Sequence, residues 1–271
     1  MSGMLVRVQP PDIAALRRDA RERALARPRW PFDGTVSEGV AGAAAVATRR
    51  YLPARPAPGG AAVVFLHGGF GLFGDLELQD GYCRRIAGAL HVVVLSVAYR
   101  LAPEATLAES AADAVAAAEL LRADGLSRVV LWGDSAGGTV ALAAARDARA
   151  DALVLTNPNV DLTLASYDDT APGGPGRALS EWSFARWAGG GTLADAPDFA
   201  AGARGLPPVY LAVGADDSLL ADADRLITAR ADAGVPARLR IVPGAAHGFM
   251  GGPDLAVAED VIAEAGRFHD F

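Results

Sequence analysis

Short, continuously apolar runs alternate with longer segments of helical periodicity along most of the chain. The runs at 61–69, 91–99 and 128–134 are typical of strands buried on both faces. Strands that alternate with helices of about 10–15 residues indicate βαβ units, so we predict a mostly parallel sheet with helices on both faces. Further strands are predicted at 45–51, 152–156, 209–213 and 237–242, and helices at 11–26, 108–122, 135–146, 219–233 and 255–269.

One segment departs from this alternation. Residues 161–206 carry APGGPG and AGGG, contain no clear strand and hold Trp182, Phe184 and Trp187 close together. We interpret this segment as an insertion that lies over one end of the sheet. Because the chain has no internal repeat and no interdomain linker, residues 1–271 are expected to form a single α/β domain.

Composition and charge exclude several classes of protein. The net charge of −7 argues against a nucleic-acid partner, because a phosphate backbone needs a basic face. The single cysteine, Cys83, cannot form an intramolecular disulfide. The N-terminal segment lacks the apolar core of a signal peptide, and no apolar run is long enough to cross a membrane. We expect a soluble, cytoplasmic protein with no membrane partner; whether it forms a homodimer stays open.

The strongest chemical signal is Gly133-Asp134-Ser135-Ala136-Gly137, which matches G-x-S-x-G. It directly follows the buried run RVVLW and directly precedes an Ala-rich helix, which is the setting of a nucleophile elbow. In such an elbow the serine occupies a strained turn, and the two glycines let strand and helix approach closely. We therefore interpret Ser135 as a nucleophile; the simpler alternative is an ordinary glycine-rich turn.

A serine hydroxyl needs a base, and the chain offers four histidines. His247 lies in a glycine-bounded loop after the last predicted strand, where it can reach the carboxyl edge of the sheet. His67 precedes the serine, His91 opens a predicted strand, and His269 lies at the frayed C-terminus. The order serine, acid, histidine of nucleophile-elbow enzymes selects His247 as the base.

The acid of such a triad must lie between the serine and the histidine. Asp216 and Asp217 directly follow the predicted strand at 209–213, and either carboxylate could orient the imidazole. A carboxylate at this place can also cap the next helix, so the choice between the two stays open. A glycine-rich loop at 67–71 and the N–H of Ala136 offer donors to an oxyanion. No glycine motif typical of a nucleotide site occurs.

Four blocks, in order, resemble those of the bacterial hormone-sensitive-lipase-like esterases (family IV lipases and esterases) of the α/β-hydrolase superfamily. The combination of GDSAGG with YRLAPE is highly specific for this family, and the resemblance covers roughly residues 45–265. It implies an α/β-hydrolase fold with a mostly parallel central sheet, helices on both faces and a short cap. The four blocks are HGGFGLFGD at 67–75, YRLAPE at 99–104, GDSAGG at 133–138, and LPPVYLAVGADDSLL at 206–220 followed by HGF at 247–249.

Carried over by position, the resemblance implies Ser135 as nucleophile, His247 as base and Asp217 as acid, in D-S-L where the family has D-P-L. It implies a cap built from about residues 1–40 and 161–206, and it implies no cofactor and no metal. The oxyanion-hole donors that it implies are the N–H groups of Gly68, Gly69 and Ala136.

Three departures from the family pattern affect these expectations. Phe70 replaces the third glycine of the loop, so its ring is expected to narrow the acyl pocket while its N–H stays available. The proline-rich stretch after YRLAPE is replaced by ATLAES. The chain is also short for the family, which predicts an abbreviated cap and a more open site.

These features predict a serine carboxylic-ester hydrolase that acts on short-acyl, small-molecule esters through a Ser-His-Asp triad and an acyl-enzyme. One alternative with the same triad is an amide or lactone hydrolase, such as an aryl formamidase. An alternative from another class is a non-catalytic ligand-binding protein on this fold, which the presence of all three triad residues disfavours.

Overall fold

The computed structural model describes residues 11–189, 192–252 and 255–271. Its central sheet consists of β1 (Gly34–Ala41), β2 (Val46–Pro53), β3 (Ala61–Leu66), β4 (Val93–Val97), β5 (Arg128–Asp134), β6 (Ala152–Thr156), β7 (Val209–Gly214) and β8 (Ala237–Val242). The order in space is β1-β2-β4-β3-β5-β6-β7-β8. β2 runs antiparallel to both neighbours, and the other adjacent pairs are parallel. The predicted mostly parallel sheet is confirmed.

Helices cover both faces of this sheet, as predicted. They are α1 (Ile13–Leu25), α2 (Asp80–Leu90), α3 (Leu107–Ala123), α4 (Ala136–Ala144), α5 (Arg177–Trp187), α6 (Leu220–Asp232) and α7 (Leu255–His269). The start of α3 is fixed by a capping box, in which the side chains of Thr106 and Glu109 each accept from the other's backbone N–H. The ATLAES stretch that replaces the family's prolines therefore begins a helix by its own capping residues.

Alternate side chains of β3 enter the two halves of the core. Val64 and Leu66 pack in a cluster with residues of α3, α4 and α6, whereas Val63 and Phe65 pack in a cluster with residues of α2 and α7. Because successive side chains of a strand point to opposite faces, a continuous apolar run is what a strand covered on both faces requires.

The apolar pattern does not predict β1, α2 or α5. β1 is an edge strand with only Ala41 buried, so it shows no apolar run. The cap expected at about residues 1–40 therefore extends too far along the chain, because residues 34–41 form β1 and pair with β2 in the sheet. Residues 1–10 of that expected cap, and 190–191 of the insertion, lie outside the described residues. α5 lies within the insertion, where charged and small residues interrupt the apolar periodicity.

Two histidines lie elsewhere than the pattern predicts. His91 does not open a strand; it ends α2 with a φ of 55° and is exposed. His269 is not frayed but is the buried last residue of α7, with Nε2 3.0 Å from Leu153 O. Burial lowers the pKa of His269 to about 4, so the imidazole is neutral at neutral pH.

Candidate active site

Ser135 lies in the sharp turn between β5 and α4. Its backbone has a φ of 52° and a ψ of −119°, a conformation that is costly for a residue with a side chain. The turn is held by main-chain hydrogen bonds, in which Ser135 N donates to Thr156 O and Gly138 N donates to Ser135 O, both at 2.8 Å. A Cβ on Gly133 or on Gly137 would lie less than 3.0 Å from backbone atoms. Only glycine therefore permits the strand and helix to approach this closely.

Ser135, His247 and Asp217 form one hydrogen-bonded chain. Ser135 Oγ lies 2.8 Å from His247 Nε2, and His247 Nδ1 lies 2.8 Å from Asp217 Oδ2. Because an ionised carboxylate only accepts, Nδ1–H donates to Asp217, and Nε2 is left to accept from the serine hydroxyl. The geometry selects Asp217 over Asp216, whose carboxylate makes no hydrogen bond within the described residues.

The carboxylate of Asp217 is fixed on both oxygens. Its side chain is fully buried, and Oδ1 accepts from Leu219 N at 3.0 Å. The imidazole of His247 is 16% exposed, so the hydrogen-bonded row of three side chains reaches solvent at the histidine. The acid is thus held rigidly, and the serine end is open to a ligand.

The loop that follows β3 lies directly beside the serine. A Cβ on Gly68 would lie 3.3 Å from Ser135 Cβ, so a side chain here would crowd the serine. The N–H of Gly68 donates to Gln79 Oε1 at 2.9 Å. The implied role of Gly68 as an oxyanion donor is therefore wrong, because its N–H already has an acceptor.

Several other N–H groups in this region have no acceptor among the described residues. The three considered as donors are those of Gly69, Phe70 and Ala136, the last of which is the first residue of α4. The N–H groups of Gly71 and Gly137 have no acceptor among the described residues either. The first N–H groups of a helix point outward with the positive end of the helix dipole. Gly69 has a φ of 122° and Phe70 a φ of 61°, so this loop turns through left-handed conformations beside the serine. Donors in such a position are what an anionic oxygen at the serine would need.

Asp134 connects the serine turn to this loop. Its Oδ1 accepts from Thr156 Oγ1 at 2.5 Å, and its Oδ2 accepts from Gln79 Nε2 at 2.7 Å. The same Gln79 amide holds Gly68. Burial raises the pKa of Asp134, against the hydrogen bonds that favour the carboxylate. Local sequence gives no signal for Gln79, which lies 55 residues from its partner Asp134.

His67 and Tyr99 hold the start of the same loop in place. Their rings stack with centroids 4.4 Å apart, and Tyr99 Oη–H donates to His67 O at 2.7 Å. Burial lowers the pKa of His67, so the neutral ring can donate from Nδ1 to Gly68 O, 2.8 Å away. The tyrosine of YRLAPE thus acts on the loop and not on the triad.

The N-terminal helix α1 is attached to the loops beside the site through Arg17. Arg17 Nε donates to Leu72 O at 2.8 Å, and one terminal nitrogen donates to Ala102 O at 2.9 Å. The guanidinium also pairs with Glu104, with a shortest distance of 2.6 Å. The arginine therefore joins α1 to both the glycine loop and the YRLAPE block.

The insertion covers the glycine loop through α5. Ser183 Oγ donates to Phe70 O, and Trp187 Nε1 donates to Ser110 Oγ at 3.0 Å. A Cβ on Gly71 would overlap the Trp187 ring, so the loop and the helix are in close contact. The structure thus places α5 against the residues that flank the free N–H groups.

Two further findings concern a metal ion and a lipid bilayer. Within the ranges that the structure describes, no group of three or more His, Cys, Asp or Glu side chains could hold a metal ion. No described helix is both long enough and apolar enough to span a lipid bilayer.

The chain resembles known proteins in both sequence and structure. A family model described as alpha/beta hydrolase fold matches residues 63–251. Esterase LipI of Mycobacterium tuberculosis is 33% identical over 215 residues, which cover 70% of this chain and 65% of that protein. Ethyl acetate hydrolase of Pseudomonas putida is 32% identical over 228 residues, which cover 74% of this chain and 70% of that protein.

Among solved structures, a hormone-sensitive lipase from a metagenome library aligns with a TM-score of 0.80. The alignment covers 98% of this chain and 93% of that one at 24% identity, so it concerns the fold. The sequence matches to LipI and to the ethyl acetate hydrolase span about two thirds of the length of each relative.

Proposed function

Because the chain belongs to the α/β-hydrolase family, we propose that it is a serine carboxylic-ester hydrolase of the hormone-sensitive-lipase-like branch. The observation that carries this proposal is the unbroken chain from Ser135 Oγ through His247 to the buried Asp217. Three backbone N–H groups without acceptors lie beside it. A nucleophile, a base, an orienting carboxylate and oxyanion donors are the parts that acyl transfer needs.

In the first half of the reaction, Ser135 Oγ attacks the ester carbonyl carbon as His247 Nε2 accepts the hydroxyl proton. The carbonyl oxygen becomes negative, and the N–H groups of Gly69, Phe70 and Ala136 donate to it. The C–O bond then breaks, His247 returns its proton to the leaving alcohol, and the acyl group stays on Ser135.

In the second half, water attacks the acyl-enzyme while His247 Nε2 takes one of its protons. The tetrahedral intermediate collapses, the proton returns to Ser135 Oγ, and the carboxylic acid leaves. In both halves Asp217 keeps the proton of His247 on Nδ1 and stabilises the imidazolium that forms.

We propose short-acyl esters as substrates. Phe70 stands in the oxyanion loop with its ring beside that of Phe73, the centroids being 5.9 Å apart, and both rings pack against the core. A phenyl ring at this place fills volume that a glycine would leave to an acyl chain. The name of the ethyl acetate hydrolase supports the same size class.

A cytoplasmic location and a small-molecule partner remain part of this proposal. Cys83 is buried and unpaired, so the fold needs no oxidising compartment. The homodimer stays a prediction that sedimentation of the purified chain would test.

The proposal is tested with p-nitrophenyl esters of increasing acyl length, assayed beside matched anilides, together with a serine-directed phosphonate. We expect turnover of short esters, little turnover of anilides, and phosphonate mass on the peptide that carries Ser135. The variant Ser135→Ala should lose about 10⁶ in kcat and all labelling, with an unchanged circular dichroism spectrum. Activity within tenfold of the wild type would reject the mechanism, and preference for anilides would reject the substrate class.

A further inference from the structure

A short stretch of the insertion runs between the loop of the proposed acid and the loop of the proposed base. Asp168 N donates to Ser218 O at 3.1 Å, and Gly173 N donates to Asp216 O at 3.0 Å. On the other side, His247 N donates to Gly173 O at 2.7 Å. The N–H and the carbonyl of Gly173 thus link Asp216, which precedes the proposed acid, to His247, the proposed base.

The two glycines of this stretch leave no room for a side chain. A Cβ on Gly173 would lie less than 3.0 Å from Ala246 Cβ, and a Cβ on Gly174 would lie less than 3.0 Å from Ser218 Cβ. Neither glycine has a positive φ, so the requirement is steric and not conformational. Ala246 directly precedes the base, and Ser218 directly follows the acid. A side chain at either glycine would therefore push one of the two loops away.

The position of the base loop explains why it needs this support. His247 follows β8, which is the edge strand of the sheet and pairs only with β7. Among the described residues, no further strand lies outside β8 to hold the loop. Ser135, in contrast, follows β5, which has a parallel neighbour on each side. The insertion adds a backbone contact to His247 through Gly173, which lies between this loop and the loop of the proposed acid.

We propose that Gly173 is a positioning residue, which holds His247 in register with Asp217 and Ser135 for proton transfer. This inference rests on the proposed function and assigns to the insertion a part in kcat, in addition to any part in covering the substrate. A displacement of about 1 Å in a reacting group can cost about 100-fold in rate, so a shift of the His247 loop should be measurable.

The experiment compares Gly173→Ala with a rescue variant and a matched control. In Gly173→Ala/Ala246→Gly, the Cβ that the new methyl would meet is removed. Gly176→Ala changes a glycine of the same segment at which a Cβ meets nothing within 4 Å. For Gly173→Ala we expect kcat to fall about 10- to 100-fold with KM nearly unchanged, and the double variant to recover most of the loss. Gly176→Ala and Ala246→Gly alone should behave like the wild type.

A second readout does not depend on turnover. The Nδ1–H proton of His247, hydrogen-bonded to Asp217, should give a low-field proton resonance in the wild type, in Gly176→Ala and in the double variant. Gly173→Ala should weaken or shift it while the thermal midpoint stays within a few degrees.

The outcomes separate this inference from the proposed function. Unchanged kcat and resonance in Gly173→Ala would overturn the positioning role, even if ester hydrolysis and labelling of Ser135 are observed. An equal loss in Gly176→Ala, or no rescue by Ala246→Gly, would overturn it as well. A wild type that hydrolyses no ester but shows the expected resonance changes would reject the function and leave the positioning of His247 supported.

Discussion

The turn around Ser135 and the insertion at 161–206 are held in place by different kinds of contact. At the turn, glycines bring backbone against backbone, and main-chain hydrogen bonds close the geometry. The insertion is anchored largely by polar side chains of α6. Asp222 accepts from Asp161 N at 3.0 Å, and the fully buried Arg230 donates to Ala203 O and Leu206 O at the end of the insertion.

This difference has a physical consequence. Contacts between backbone groups do not titrate, so the geometry of the turn should be insensitive to pH. A buried carboxylate such as Asp222 costs free energy to ionise, so the attachment of the insertion should depend on pH. The proposed nucleophile is thus held rigidly, whereas the attachment of the insertion that covers it is expected to vary with pH.

The largest expected effect concerns the triad acid. In Asp217→Asn, the amide can donate to His247 and favour the wrong tautomer, so kcat should fall by about 10³- to 10⁴-fold. Asp134→Asn should cost about tenfold or less, because Asp134 contacts Thr156 and Gln79 and not the imidazole. Both variants are compared on p-nitrophenyl butanoate, with circular dichroism as the check on folding. The reverse ranking would transfer the role of the acid to Asp134.

The same contrast explains what the sequence could predict. The apolar runs of β3 to β7 and the motif around Ser135 are local signals, since a buried parallel strand and a strand-to-helix turn impose their own residue types. The order of serine, acid and histidine then selected His247. The choice of Asp217 over Asp216 needed the resemblance in the sequence, and the structure supplies its hydrogen bond to the imidazole.

Contacts outside the local motifs could not be predicted in this way. Gln79 accepts from the N–H of Gly68 at the other end of the connection between β3 and α2, which is why a donor carried over from the family pattern is wrong here. Gly173 looks like one of several glycines in a flexible sequence, although its neighbours in space leave no room for a Cβ. β1 is exposed and polar, and only its pairing with β2 reveals it. In each case the cause is a partner outside the local motif, and for Gly173 that partner lies far away in the sequence.

The attachment of the insertion is tested by Asp222→Asn. Burial raises the pKa of Asp222 from an ordinary 3.8 to about 6, so the folded state binds this proton more tightly than the unfolded state. The resulting stabilisation is fully present below pH 3.8 and is lost as the pH rises through about 6. At about 1.4 kcal/mol per pKa unit, the difference is about 3 kcal/mol.

Relative to the wild type, Asp222→Asn should therefore gain stability as the pH rises from 4 to 8, as measured by urea unfolding at each pH. Asp224→Asn, on the same helix, serves as the control and should follow the wild type. A constant difference between Asp222→Asn and the wild type over this range would show that Asp222 does not titrate as expected.

The smallest effect is expected at Phe70, where the insertion meets the glycine loop. Its carbonyl accepts from Ser183 of α5, and its ring lies beside Phe73. Removing the ring in Phe70→Gly opens volume in an apolar pocket, where a methylene group is worth about 1–3 kcal/mol of discrimination. The wild type should prefer acyl chains of about two to six carbons, and Phe70→Gly should raise kcat/KM for octanoate relative to butanoate by roughly tenfold.

Phe199→Leu, which alters a ring that packs near α3 and α4, is the matched control and should keep the wild-type profile of acyl-chain preference. If Phe70→Gly keeps that profile too, the ring faces the insertion and not the acyl chain. In that case the preference for acyl length would be set by the insertion that covers the glycine loop and not by the ring of Phe70.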